Sequence, residues 1–425
     1  MTELLEVPLQ YKSRSFLRNL AVYFGPALVV SVAYMDPGNY GTDIVGGSSF
    51  GYTMLWVVWL AGIMAMLLQY LSGKLGIATG HSLPAMIRLH LKEPRYVIPY
   101  WLASEAAAAM TDLAEFLGTV IALYLLFGVP LIYGTFLSVL DVLLILGITR
   151  GRARRLEYAF LLFVSIIGFG YLYEIFLTSP NTAGILRGSI IPTLSTIPEL
   201  LLAVGVIGAT VMPHAVFLHS ALTNDRVTDP RVEFKKYVLR LHQAESVIMF
   251  TMAGLVNAAI MIMAAAAFYP KIAVPTIDIA YQTLLPLFGP PAAVIFGITL
   301  LSSGLSSSTT GTLAGQAIME GMLGKKINPW MRRLVTRFIN TIPTTIAILL
   351  GLNPLIILVY SQVALSLLLP LPLVPLWWFT RKKDLMGVFA NRKITTIVAG
   401  IFILLIIGLN VMLLYFTFTG AAQNI

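Results

Sequence analysis

No cysteine occurs in this sequence, and charge is scarce: Lys, Arg, Asp and Glu make up 11% of its 425 residues. Without thiols there are no disulfides, no thiolate metal ligands and no cysteine nucleophiles. Soluble domains carry about 25% charged residues, and their hydrated exterior depends on them. Here apolar side chains take that place, at 58% of the chain, and the mean hydropathy is +0.85. Lipid is therefore the expected solvent for the surface. Gly-x4-Gly-Lys-Ser/Thr is absent as well, so the chain has no phosphate-cradling loop of the kind an ATP-driven pump needs. No polar stretch is long enough to fold alone.

What is present is a series of apolar runs of spanning length, at 23–47, 52–73, 97–126, 130–149, 156–178, 198–222, 241–268, 290–322, 331–350, 353–379 and 393–418. The expectation is an all-α membrane protein of about eleven transmembrane helices. The first run follows a polar, basic start with Lys12, Arg14 and Arg18. It is too long for a signal-peptide core and reads as a retained membrane helix. With the N-terminus inside, alternate loops carry Lys74, Arg88, Lys92 and Arg95; Arg150, Arg152, Arg154 and Arg155; Arg226, Arg231, Lys235, Lys236 and Arg240; Lys325, Lys326, Arg332 and Arg333; and Arg381, Lys382, Lys383, Arg392 and Lys393. The opposite loops hold Arg187 and Lys271. Such asymmetry puts the basic loops in the cytoplasm and the C-terminus outside. The net charge of +9 is accounted for by these loops and needs no nucleic acid.

Two spans carry helix breakers at their centres. The first reads Ser31-Val-Ala-Tyr-Met-Asp-Pro-Gly-Asn39 and the sixth Gly208-Ala-Thr-Val-Met-Pro-His214. Pro37 and Pro213 lack an N–H and disfavour helical geometry at Asp36 and Met212, and Gly38 adds freedom. A proline in a membrane helix is often only a kink. These two, however, fall in the first helix of spans 1–5 and of spans 6–10. Five is odd, so the halves run in opposite senses, the pattern of an inverted repeat with a site where its unwound segments meet. The expected organisation is a cytoplasmic segment 1–22, a first repeat 23–178, a second repeat 198–379, and a last helix with an extracellular C-terminus, 393–425. Backbone polar groups freed in lipid are costly unless they line a cavity or bind something.

The candidate ligands there are Asp36, Asn39 and Met212, with freed carbonyls such as those of Ala33 and Ala209. Asp36 offers a hard anionic oxygen, Asn39 a neutral one and Met212 a soft thioether. Hard Mg2+ and Ca2+ prefer all-oxygen shells, and sulfur suits a borderline transition metal. The mixed set favours Mn2+, Fe2+, Co2+ or Cd2+. Met212 packing as an ordinary core methionine is the plainer alternative.

Asp36-Pro-Gly-Asn39 and Met212-Pro-His214 resemble the two signature segments of the Nramp family of proton-coupled divalent metal transporters. Thr111-Asp-Leu-Ala-Glu-Phe-Leu-Gly118, Ser308-Thr-Thr-Gly-Thr-Leu-Ala-Gly-Gln316 and Ser361-Gln-Val-Ala-Leu-Ser366 match as well, and the likeness covers essentially the whole chain. It implies a LeuT-like fold, with Asp36, Asn39, Met212 and the Ala209 carbonyl as ligands and Ala33 and Gln362 joining in some conformations. Many members have Asn after the Pro-His pair. This chain has Ala215, a departure that bears on gating rather than on metal identity. Relatives that carry Mg2+ or Al3+ lose the methionine or alter the first motif.

The third span carries Glu105, Asp112 and Glu115 on one helical face. Carboxylates inside a span are expensive and usually functional. Arg332, Arg333 and Arg337 open the ninth span and are expected to face them. The expected proton route starts at Asp36 or His214 and passes through Asp112, Glu115 and these arginines to the cytoplasm, and the resemblance implies a similar path. A salt-bridge network that only locks the two helices together is the structural alternative, and His219 reads equally as a packing residue. The sequence thus predicts a secondary importer of divalent transition-metal ions in a bacterial or archaeal plasma membrane, and not an enzyme. Metal ion and proton are its small partners and lipid its surroundings, with no cofactor, nucleic acid or obligate protein partner. A LeuT-like symporter of an organic solute, a magnesium-carrying relative and a channel are the competing readings. An intramembrane enzyme would need an acid–base motif that is incomplete here.

Overall fold

The computed structural model describes residues 15–138, 153–270, 289–325 and 328–419, and every regular element among them is helical. The chain opens with α1 (Phe16–Tyr23), α2 (Pro26–Ala33), α3 (Pro37–Phe50), α4 (Leu55–Thr79), α5 (Leu83–Leu91), α6 (Pro94–Phe127) and α7 (Leu131–Leu137). It continues through α8 (Ala153–Thr178), α9 (Thr182–Ile190), α10 (Ile197–Val211), α11 (Pro213–Asn224) and α12 (Val232–Phe268). The last described elements are α13 (Pro290–Leu323), α14 (Pro329–Leu349), α15 (Pro354–Leu368), α16 (Pro370–Arg381), α17 (Lys383–Met386) and α18 (Lys393–Phe418).

Local signals set many of these boundaries. Proline occupies the first turn of α2, α3, α6, α10, α11 and α15, where its missing N–H has no intrahelical partner to lose. Thr196 and Glu199 form a reciprocal capping box on α10. Gly51, at φ +61°, ends α3 in a conformation open to a residue without Cβ and leads through a short 3-10 turn into α4.

Eight helical stretches are long and apolar enough to cross a membrane, or nine if α1 and α2, bent by 53°, count as one span. Three of the expected eleven are not seen as separate spans among the described residues. The predicted fourth span, 130–149, lies largely outside them, with α7 its described part. The apolar part of α14, Leu334–Leu349, is shorter than a full crossing. The stretch Pro37–Thr79 holds the second expected span and part of the first in 43 consecutive residues, about twice the ~20 that one crossing needs, and Gly51 divides it where the first two spans were expected to part. Lys12, Arg14, Arg150, Arg152, Lys271, Lys326 and most of 269–289 lie outside the described residues, as do the side chains of Arg154, Arg155, Arg333 and Arg337.

Burial separates centre from rim. The apolar window of α10–α11 is 94% buried and that of α18 is 28% buried, so the broken pair α10–α11 lies at the heart of the bundle and α18 at its edge. A row of small residues on α13 lets α6 approach closely. A Cβ added to Gly304 would lie 2.5 Å from Thr119 Oγ1, and one on Gly297 2.7 Å from Leu126 Cδ2. At the end of α16, Arg381 stacks 4.2 Å over the Trp377 ring and Lys382 3.4 Å over Trp378, the amphipathic pairing expected of an interfacial anchor. Between α8 and α10, α9 is a short helix capped by the Asn181 side chain.

Candidate metal centre at two facing helix breaks

Helix α2 stops at Ala33 and α3 starts at Pro37, with Asp36 as its N-cap. The Asp36 carboxylate accepts from the backbone N–H of Asn39 at 2.8 Å and from Asn39 Nδ2 at 2.8 Å. Proline supplies the break, and the carboxylate satisfies the donors it exposes. The second break falls at Met212, between Val211 and Pro213. Its φ is +40°, a left-handed backbone that is unusual for a side chain with a Cβ and that costs about 1–3 kcal/mol. Strain of this kind persists where surrounding structure holds it in place.

The two breaks meet. Asn39 Nδ2 donates to the Ala209 carbonyl at 3.1 Å, and Thr210 Oγ1 donates to Asn39 Oδ1 at 3.3 Å. Gln362 of α15 lies across both. A Cβ on Gly38 would sit 2.1 Å from Gln362 Nε2, and one on Gly208 would sit 2.1 Å from the Gln362 carbonyl. Glycine at these two positions is therefore required by close approach. Ser303 of α13 donates to the carbonyl of Met35 at 2.5 Å. The structure thus brings Ala33, Asp36, Asn39, Ala209, Met212 and Gln362 to one region, each of them buried. Asp36 Oδ2 and Gln362 Oε1 are buried oxygens without a hydrogen-bond partner among the described residues. Anionic oxygen, amide oxygens, carbonyls and a thioether together form a donor set for a borderline divalent cation.

Around this set lies a layer that the sequence reading did not find. Asn257 of α12 donates to Asn39 Oδ1 at 3.3 Å and, with Thr210, fixes the amide that bridges the breaks. Tyr34 donates to the Val211 carbonyl at 3.4 Å and accepts from Gln69 Nε2 at 2.6 Å, and Gln69 Oε1 lies 3.0 Å from His219 Nδ1. His219 is thus part of a chain that ties α4 and α11 to both breaks. On the far side of α2, Glu245 Oε1 accepts from the N–H groups of Gly25, Ala27 and Leu28 at 2.7, 3.1 and 3.3 Å. A carboxylate at a helix N-terminus satisfies donors left without intrahelical partners and favours the helix dipole. Beside it, Arg226 pairs with Glu157 at 2.9 Å.

The acidic face of α6 lies along α13. A Cβ on Gly311 would be 2.7 Å from Asp112 Oδ1 and 3.0 Å from Glu115 Oε2, and one on Gly315 would be 2.1 Å from Arg332 Nη2. Arg332 makes a two-pronged ion pair with Glu105, and Trp101 Nε1 donates to the same carboxylate at 3.0 Å. His214 Nδ1 lies 3.0 Å from Thr111 Oγ1, which joins α11 to the residue preceding Asp112. Along α6 the order from the centre toward the Pro94 end is Glu115, Asp112, Glu105. Arg332 meets this row at Glu105. Ala215 is fully buried in the core.

The sequence profile described as Nramp, natural resistance-associated macrophage protein-like, matches residues 27–416. This chain belongs to the Nramp family. Among similar proteins, the "Divalent metal cation transporter MntH" of Deinococcus radiodurans is 43% identical over 401 residues, 94% of this chain and 91% of that protein. The protein of the same name from Bacillus subtilis is 41% identical over 410 residues, 96% and 95% of the two chains. A crystal structure of the Eremococcus coleocola manganese transporter superposes with a TM-score of 0.87 at 33% identity, covering 96% of this chain and 89% of that one. MhsT, solved in complex with L-phenylalanine, superposes with a TM-score of 0.62 at 14% identity, over 91% of this chain and 98% of that one, a likeness of fold alone. This Nramp chain has the LeuT-like fold of membrane transporters and is not an enzyme.

Proposed function

We propose that this Nramp chain imports divalent transition-metal ions, Mn2+ or Fe2+ and also Cd2+ and Co2+, across the plasma membrane of a bacterium or archaeon, coupled to protons, by alternating access. The observation that carries the reading is the bridge at the breaks. Asn39 holds the Asp36 carboxylate with one end of its side chain and touches the second break at Ala209, three residues before the strained Met212. The names of the relatives, a divalent metal cation transporter and a manganese transporter, support the substrate class.

In this reading Asp36, Asn39, Met212 and the Ala209 carbonyl bind the ion, with Ala33 and Gln362 joining as the halves rearrange. Sulfur provides discrimination against Ca2+ and Mg2+, which prefer oxygen. Protons move from Asp36 or His214 through Asp112 and Glu115 toward the cytoplasm, with Arg332, Arg333 and Arg337 on the route and Glu105 held by Arg332. The N-terminus is cytoplasmic and the C-terminus outside. The breaks, three residues from Tyr34 to Asp36 in the first and Met212 alone in the second, are the joints, and release of α2 from Glu245 opens the inner side.

The test uses proteoliposomes loaded with a metal-sensitive dye and a pH reporter. External Mn2+ is expected to enter with acidification, and Ca2+ to compete poorly. Met212→Ala is expected to let Ca2+ compete. Failure of Mn2+ to enter, or equal entry of Mg2+ into wild-type vesicles, would overturn the reading.

A further inference from the structure

Asp43 is a second carboxylate on α3, 1% exposed, and neither of its oxygens has a hydrogen-bond partner among the described residues. A buried carboxylate left so is expensive in a membrane span and calls for a proton or a cation. Its place is fixed from both sides. Asn39, four residues earlier on the same face, receives a hydrogen bond from Asn257 of α12. Gly47, four residues later, packs so closely on α12 that a Cβ there would lie 2.4 Å from the Met261 carbonyl and 2.7 Å from the Ala265 nitrogen. Asp43 therefore faces α12 between the levels of Asn257 and Ala265. Asn257 Oδ1 is also buried and without a partner among the described residues. Met261, one turn beyond Asn257 on the same face of α12, lays its side chain along α3, with Cε 2.6 Å and Sδ 3.7 Å from where a Gly46 Cβ would be.

We propose that Asp43, Asn257 and Met261 form a second cation site, a staging post for divalent transition-metal ions on the Phe50 side of the two breaks. The residue types repeat those at the breaks: one carboxylate, one amide, one thioether. Asp43 lies seven residues from Asp36, about 10 Å along the helix. Two divalent ions at that separation repel strongly in a medium poorer than water in dielectric, so the posts fill in turn, the outer one handing its ion inward. Asn257 serves both, since its Nδ2 holds Asn39 while its Oδ1 is turned to neither Asn39 nor any other described donor. The inference rests on the proposed metal-import reading for its direction of travel, but binding at the post stands apart from transport.

Two measurements separate the claims. Mn2+ binding to the purified full chain is followed by electron paramagnetic resonance. An Asp36→Asn/Met212→Ala chain is expected to retain one weaker Mn2+, and adding Asp43→Asn is expected to remove it. In proteoliposomes, Asp43→Asn alone is expected to raise the apparent KM for Mn2+ about tenfold, a change of about 1.4 kcal/mol, while the maximal rate stays close to wild type. Met261→Leu keeps the volume, removes the sulfur, and is expected to raise the KM for Cd2+ more than that for Mn2+. It carries the test should Asp43→Asn fold poorly. Unchanged KM values in both variants, or identical residual Mn2+ binding with and without Asp43→Asn, overturn the proposal. Wild-type vesicles that admit no Mn2+ would instead sink the import reading and leave the binding result to decide this one.

Discussion

Asn39 Nδ2 donates at once to Asp36 Oδ1, at 2.8 Å, and to the Ala209 carbonyl, at 3.1 Å, across 170 residues of chain. One amide group thus sets the distance between the halves of the site, and whatever holds that amide tunes the affinity. Its Oδ1 is held by Thr210 and Asn257. An amide oxygen has two lone pairs, and in the proposed metal site a bound cation would take over one of them.

Thr210→Val removes one of those two holders without touching a ligand. A hydrogen bond of this kind contributes about 1 kcal/mol, so the apparent KM for Mn2+ is expected to rise about fivefold with the metal preference intact. Initial uptake rates across a Mn2+ titration check this. A change of selectivity without a change of KM would place Thr210 in contact with the ion itself.

Glu245→Gln weakens the clamp on α2. Hydrogen bonds to a charged acceptor contribute about 1.5–3 kcal/mol, so the unclamped population is expected to grow at least about tenfold. The natural absence of cysteine makes the readout simple. A single Ala27→Cys substitution gives one thiol in the whole chain, and its rate of labelling from the cytoplasmic side reports how often α2 swings free. Equal labelling with Glu245 and with Gln at that position would mean that the clamp does not govern the motion.

Gly311→Ala forces a methyl group between α13 and the acids of α6. Overpacking a close helix contact costs about 1–3 kcal/mol, expected as a lower melting midpoint in detergent. Proton entry is expected to suffer more than metal binding, because the atoms displaced are Asp112 Oδ1 and Glu115 Oε2. Asp112→Asn is the companion variant, with metal-driven acidification lost. If acidification persists in it, Asp112 is not on the route.

The Glu105–Arg332 pair separates lock from wire. Glu105→Gln alone leaves a mostly buried guanidinium without its counter-charge and is expected to cost about 3–5 kcal/mol, whereas Glu105→Gln with Arg332→Met removes both charges and recovers most of the stability. If the double variant also recovers acidification, the pair is only structural. Recovery of stability without recovery of acidification puts it on the proton path.

Much of the site was legible because its signals are local. Pro37 beside Asp36 and Pro213 beside Met212 each announce a break within two residues, and their matching positions in the two halves told that the breaks face one another. Gln362 was reached only through the family likeness, since nothing in Ser361-Gln-Val marks it until α15 is laid over Gly38. Glu245, Gln69, Asn257 and Asp43 are polar residues in apolar runs, a visible signal. Their partners are a helix N-terminus, a tyrosine, an amide and a neighbouring helix face, all brought near only by packing. The order of the acids on α6 was readable from the sequence, but which of them meets an arginine depends on where α14 lies against α13.

The Glu245 clamp has a consequence for how the chain is made. The cap for α2 is encoded 220 residues after Gly25. At about 5–20 residues per second, the ribosome needs about 10–40 seconds to supply it. Throughout that interval the N–H groups of Gly25, Ala27 and Leu28 lack the acceptor that Glu245 brings with α12. A chain that stalls before α12 leaves them without it indefinitely, so the state of α2 is itself a record of whether insertion was finished.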